Sequence, residues 1–185
     1  EIVVTATDNS DGTLTILWDD MATAATDTQI VFKNVYDAKS TELSGHDQLK
    51  ITKEFTGREN NEWLDSDSFT FKLTAGDAAT AEAITEGHVE LSSTELVVTN
   101  ANKAYPHFGN IIFHEEGTYT FTITEVAPAE ATTNKDGSKT YQGITYDVTP
   151  RTVVVNVVDN DMGELVATRI DANPLIFVNT YSLNE

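Results

Sequence analysis

Apolar and polar residues alternate strictly over several stretches of this chain, and a period of two sends successive side chains to opposite faces of a strand. In LKITKEF, Leu49, Ile51, Lys53 and Phe55 share one face while Lys50, Thr52 and Glu54 share the other. SFTFKLT sets Phe69, Phe71 and Leu73 inward, and TYTFTITEV sets Tyr119, Phe121, Ile123 and Glu125 against an outward row of Thr118, Thr120, Thr122 and Thr124. PLIFVNTY, Pro174–Tyr181, aligns Leu175, Phe177, Asn179 and Tyr181. Weaker strands are predicted within Val89–Thr99 and at Ile111–Phe113, and a single short helix in the Ala-rich run 76–87. Short strands, frequent turn residues and little helix predict an all-β sandwich.

The pattern repeats. EIVVTAT and TLTIL flank the turn DNSDG, as TVVVNVV and ELVATR flank DNDMG, so two hairpins are predicted with Gly12 aligned to Gly163. QIVFKNVY, Gln29–Tyr36, echoes PLIFVNTY and aligns Asn34 with Asn179. Residues 1–36 therefore read as the closing strands of a preceding similar module, 37–47 as a polar linker, and 48–185 as a complete module. Asn34 is then an orphan, because the strands that would partner it lie upstream of Glu1. Lys33 is out of phase with Ile30, Phe32 and Asn34 and is expected to face solvent. The chain opens directly in a strand-like run, with neither a signal peptide nor an anchoring tail, which suggests an excised segment.

Charge and composition remove several function classes. Thirty acidic residues against eleven basic ones give a net charge of -19, which argues against binding phosphate backbones. Cysteine is absent, so disulfides and thiolate metal sites are excluded. No apolar run approaches the roughly 18 residues of a membrane span. Gly12 and Gly163 come one position too early for an EF-hand, and His46, His88, His107 and His114 lack zinc-ligand spacing, so no metal or cofactor is expected. Trp18 and Trp63 fit either partly buried packing or a carbohydrate or protein contact.

Three polar residues remain on inward faces: Lys53, Glu125 and Asn179. A buried lysine is costly to keep charged, and its neutral amine is a nucleophile. A protonated glutamate beside it could polarise the asparagine carboxamide and shuttle protons, so that ammonia leaves and a Lys–Asn isopeptide bond remains. The same phase also fits a satisfied Lys–Glu–Asn hydrogen-bond network, or strands shifted by one residue.

The succession LKITKEF, SFTFKLTA, GTYTFTITE, GITYDVTPRTVVVNVVD and LIFVNTY resembles the isopeptide-linkage domain of Gram-positive pilus backbone subunits and related surface adhesins, over Leu49 to Tyr181. The resemblance implies an immunoglobulin-like sandwich of the CnaB type. It also implies a cross-link between a first-strand lysine, here Lys53, and a last-strand asparagine, here Asn179, assisted by a central-strand glutamate, here Glu125. The expected function is a structural module of a cell-surface pilus or repetitive adhesin stalk, in the cell wall or extracellular, with neighbouring modules of the same protein as partners and no catalytic turnover. The sequence carries no sortase-sorting signal and no convincing pilin-type lysine motif, so a stalk of tandem repeats fits the repetition better than a major pilin. An adhesin domain presenting Glu59–Asp67 or Ala101–Asn110 to a host glycan or protein is the competing class, and a glycoside hydrolase the outsider.

Overall fold

Alternation becomes burial strand by strand in a computed structural model of the chain, which describes residues 3–10, 12–19, 30–33 and 38–183. The chain divides into two units, Glu1–Asp37 and Ala38–Glu185.

The first unit holds an antiparallel sheet in the order β1 (Val3–Asp8), β2 (Thr13–Asp19), β3 (Ile30–Lys33). Its hairpin turn is closed by Asn9 N–H donating to Thr13 O at 3.1 Å, with Ser10 at φ 59° and Gly12 at φ 80°. Asn34 lies outside the described residues.

The second unit runs β4 (Thr41–Leu43), α1 (Gly45–Gln48), β5 (Thr52–Thr56), a 3-10 turn (Glu59–Asn61), β6 (Ser68–Ala75), α2 (Ala78–Glu86), β7 (Val89–Leu91), β8 (Glu95–Thr99), β9 (Ile111–Phe113) and β10 (Gly117–Val126). It continues through β11 (Thr132–Thr133), β12 (Lys139–Tyr141), β13 (Ile144–Tyr146), β14 (Arg151–Asp159), β15 (Leu165–Arg169) and β16 (Ile176–Tyr181). One sheet has the order β15-β14-β10-β6-β8 and the other β11-β12-β13-β16-β5. A small sheet, β4-β9-β7, supplies Leu43, Val89, Ile111 and Phe113 to the same core. The unit is an all-β, immunoglobulin-like sandwich.

Its core is the inward face of β6, β10 and β14 packed on that of β5 and β16. Phe69, Phe71, Leu73, Phe121, Ile123, Val153, Val155 and Phe177 are all buried. Aromatic rings meet across the layers, Phe71 and Phe177 edge-on with centroids 4.9 Å apart and Phe55 and Phe69 tilted with centroids 5.5 Å apart. Each such side chain contributes about 1.5–3 kcal/mol on burial, which selects one register because a slip of one residue would expose the whole set.

The predicted helix forms as α2. Asp77 caps it by accepting from Thr80 N–H at 2.7 Å, and Gly87 ends it in the left-handed region at φ 81°. It is accompanied by the four-residue α1, which was not expected.

Two expectations need correction. The run read as a linker is, from Ala38 onward, part of the second unit. Leu43 is buried, β4 pairs with β9, and Lys39 exchanges backbone hydrogen bonds with Gly163 and Leu165. Polar composition misled here because β4 and α1 are short and bury few side chains. The strand around Lys53 also begins only at Thr52 and is the second of its unit, since Leu49 instead follows α1 as its C-cap.

The hairpin echo has a structural counterpart with a limit. In the turn between β14 and β15, Asn160 N–H donates to Glu164 O at 3.0 Å, Asp161 has φ 59° and Gly163 φ 85°, matching Asn9, Ser10 and Gly12 of the first hairpin. The third strands differ: β3 pairs with β2, whereas β16 leaves its hairpin's sheet to pair with β13 and β5.

Candidate functional site

Strand β5 pairs in parallel with β16, placing Lys53 opposite Phe177 and Phe55 opposite Asn179. Lys53 and Asn179 thereby point to the same interior face from neighbouring strands. From the facing sheet, Glu125 arrives near the end of β10, paired with Phe71 of β6. The pairing of β10 with β14 ends earlier, at Ile123 opposite Arg151, because Pro150 has no N–H for the ladder and the Thr149 N–H and carbonyl are taken by the Asp147 and Arg151 side chains. That gap lets the segment 147–150 cross from β13 to β14 beside Glu125.

The structure brings together the three residues singled out from sequence. The side chains of Lys53 and Glu125 have no solvent exposure, and Asn179 is fully buried. Lys53 Nζ lies 3.2 Å from Glu125 Oε2, and Asn179 Nδ2 donates to Glu125 Oε1 at 2.6 Å. One carboxylate thus spends one oxygen on the amine and the other on the carboxamide nitrogen. The lysine ammonium also reaches Phe177 O at 3.4 Å and lies 4.8 Å from the centroid of the Phe69 ring.

Electrostatics follow from burial. Desolvation pulls the Lys53 amine down from its ordinary 10.5 to about 8, against the opposing pull of Glu125. Desolvation likewise pushes the Glu125 carboxyl above its ordinary range, with Lys53 and Asn179 holding it back. Both shifts favour the uncharged partners, so proton transfer from ammonium to carboxylate is made less uphill than in water.

Two residues not singled out from the sequence complete the surroundings. Asp147 N–H donates to Asn179 Oδ1 at 2.9 Å. Arg151 binds the Asp147 carboxylate at 2.7 Å and donates twice to Ile176 O, at 2.8 and 3.2 Å, tying the crossing segment to the strand that carries Asn179. The sequence signal was the acid and base four residues apart around Pro150 in DVTPR. The backbone donor itself leaves no mark on sequence.

The other candidates separate from this site. Trp63 is buried against Phe55 and Phe69, so it is packing rather than an exposed contact. The Trp18 side chain and Asn34 fall outside what is described. His46 stacks edge-on against His107, while His88 and His114 face Glu115 and Glu90. DNDMG serves as a hairpin turn. A cleft of about 490 Å³ lies beyond the crossing segment, lined by Asp147, Thr149, Val178 and Thr180, with Asn179 turned away into the core.

Comparison with known proteins bears on residues 49–182, which match the family model described as FctA, Spy0128-like isopeptide containing domain. No curated protein matches. Among solved structures, an asparagine-to-alanine variant of the major pilin from Streptococcus pyogenes aligns at 20% identity with a TM-score of 0.44, covering 72% of this chain and 50% of that one. A glutamate-to-alanine variant of the same pilin aligns at 22% identity with equal coverage and TM-score. The major pilin T-13 from Streptococcus pyogenes serotype GAS131465 aligns at 20% identity and a TM-score of 0.40, covering 76% of this chain and 53% of that one. The chain spans about half the length of these pilins.

Proposed function

This chain belongs to the Spy0128-like isopeptide containing domain family, and we propose that it is a structural module of a cell-surface pilus or repetitive adhesin stalk, held by a self-formed isopeptide bond between Lys53 and Asn179. The observation that carries the reading is Glu125, one buried carboxyl group whose two oxygens face the nucleophile and the leaving nitrogen. The amine of Lys53 forms a bond to Asn179 Cγ while the carbonyl electron pair moves to Oδ1. Glu125 gives a proton to Nδ2 through Oε1 and takes one from Nζ through Oε2. The Cγ–Nδ2 bond then breaks, ammonia leaves, the amide is restored, and Glu125 ends in the form in which it began. The event happens once per chain, so the module is not a turnover enzyme.

Residues 1–36 are read as the end of a preceding module, supported by the matching hairpin turns, although β3 pairs differently from β16. Neighbouring modules of the same protein are the proposed partners, and the extracellular face of the cell wall the proposed location.

Intact mass tests the chemistry. The chain is expected to weigh one ammonia less than its sequence, and Lys53→Ala, Glu125→Ala and Asn179→Ala are each expected to restore the full value. A full mass in the unmutated chain would sink the proposal.

A further inference from the structure

The step just described moves a full negative charge onto Asn179 Oδ1, and Glu125 cannot stabilise it, because both of its oxygens are committed elsewhere. The group aimed at that atom is a backbone one. Resting on the isopeptide reading above, we infer that the Asp147 N–H is the oxyanion donor of the reaction, and that the Asp147 carboxylate and Arg151 are the positioning residues that hold it there.

Several observations carry this. The donor stands 2.9 Å from Oδ1, inside the 2.7–3.1 Å range in which removing one oxyanion donor costs acyl-transfer reactions about a hundredfold or more. The opposite ends of the carboxamide have complementary partners, a carboxyl oxygen on Nδ2 and an N–H on Oδ1, so the amide cannot flip without losing both hydrogen bonds. The donor's own residue is tethered through its side chain. Asp147 Oδ2 accepts from Arg151 at 2.7 Å and from Val178 N–H at 3.3 Å, and Oδ1 accepts from Thr149 N–H at 3.2 Å. Val178 is the residue preceding Asn179, so donor and acceptor are referenced to the same strand.

Arg151 has a second consequence. A bare carboxylate on the donor residue would oppose charge building on Oδ1. The guanidinium pairs with that carboxylate and anchors to Ile176 O and Thr149 O, leaving the Asp147 N–H dipole to face Oδ1. Preorganised dipoles of this kind need no reorientation as charge develops.

The test removes the donor while keeping the side chain. Aspartate at 147 is replaced by its α-hydroxy counterpart during cell-free translation of the full chain, converting that amide to an ester, and ammonia loss is followed by intact mass. Cross-linking is expected to slow about a hundredfold or more. The same exchange at Val148, whose N–H donates to Tyr146 O rather than to Asn179, is expected to leave the rate unchanged. Equal rates for the two ester chains would overturn the inference and leave the isopeptide bond standing. Full mass in the unmodified chain would bring down both.

A second measurement covers the case in which the ester at 147 does not fold. In Lys53→Met, which keeps Asn179 but lacks the nucleophile, a scalar coupling across the hydrogen bond between the Asp147 amide nitrogen and Asn179 Cγ is expected by NMR. Its absence from the folded variant would overturn the inference.

Discussion

Lys53 and Asn179 stand one diagonal step apart on neighbouring parallel strands, with Lys53 opposite Phe177 and Asn179 opposite Phe55. Diagonal neighbours lie close enough for a long side chain to cross between them. A bond between them joins β5 to β16 in the strand pair that already closes the second sheet.

Unfolding free energy should separate the roles of the three residues. The bond closes a loop of about 125 residues, which by loop entropy stabilises by roughly 5 kcal/mol. Lys53→Met loses that term yet leaves Glu125 free to protonate and keep Asn179. Glu125→Ala loses it and also strands a buried amine without its carboxylate, a further cost of about 3–5 kcal/mol. Denaturant titration at neutral pH is expected to rank the unmutated chain above Lys53→Met and Lys53→Met above Glu125→Ala. Equal stability in the two variants would contradict a charge penalty at this site.

The rate of bond formation should pass through a maximum with pH. The reactive pair, neutral amine and carboxylic acid, holds one proton, as does the ammonium–carboxylate pair. Raising the pH above about 8 removes that proton and leaves nothing to protonate the departing nitrogen. Lowering it through the raised Glu125 value protonates both groups and removes the nucleophile. Ammonia loss, timed by mass in freshly folded chain, should therefore slow on both sides, and a rate still climbing at high pH would mean that Glu125 does not act as the acid.

Under load, the cross-linked loop and the segment before it should part company. Residues 38–52, including β4 and α1, precede Lys53 and lie outside the loop. Single-molecule stretching of the second unit is expected to release these few residues in a short step of roughly 50 Å, at about 3.5 Å per residue, and nothing longer. In Glu125→Ala the whole unit should extend by roughly 500 Å. A long step in the unmutated chain would refute a load-bearing bond.

The segment 38–47 should prove structural. A Cβ on Gly45 would run into the backbone carbonyl oxygens of Phe108 and Gly109, so Gly45→Ala is expected to destabilise by about 1–3 kcal/mol. A chain beginning at Gln48 should melt well below one beginning at Ala38, because it lacks the buried Leu43 and the β4–β9 pairing. Equal melting of the two truncations would restore the linker reading.

Period-two alternation is a local property of an extended backbone, and this is why the faces of β6, β10 and β16, the single longer helix and the inward phase of Lys53, Glu125 and Asn179 were legible from residue order alone. The hairpin turns were legible for the same reason, since Gly12 and Gly163 at matching positions answer to a local preference for positive φ. Partnership was not. That β16 abandons β15 to lie parallel to β5, and so sets Lys53 diagonal to Asn179, depends on packing between distant strands. The role of Gly45 depends on carbonyls contributed by a distant loop, within a run whose composition reads as linker. Asp147 contributes a backbone N–H, a group every residue but proline possesses, so only the tertiary path of the crossing segment, fixed by Arg151, decided that this one meets the carboxamide of Asn179.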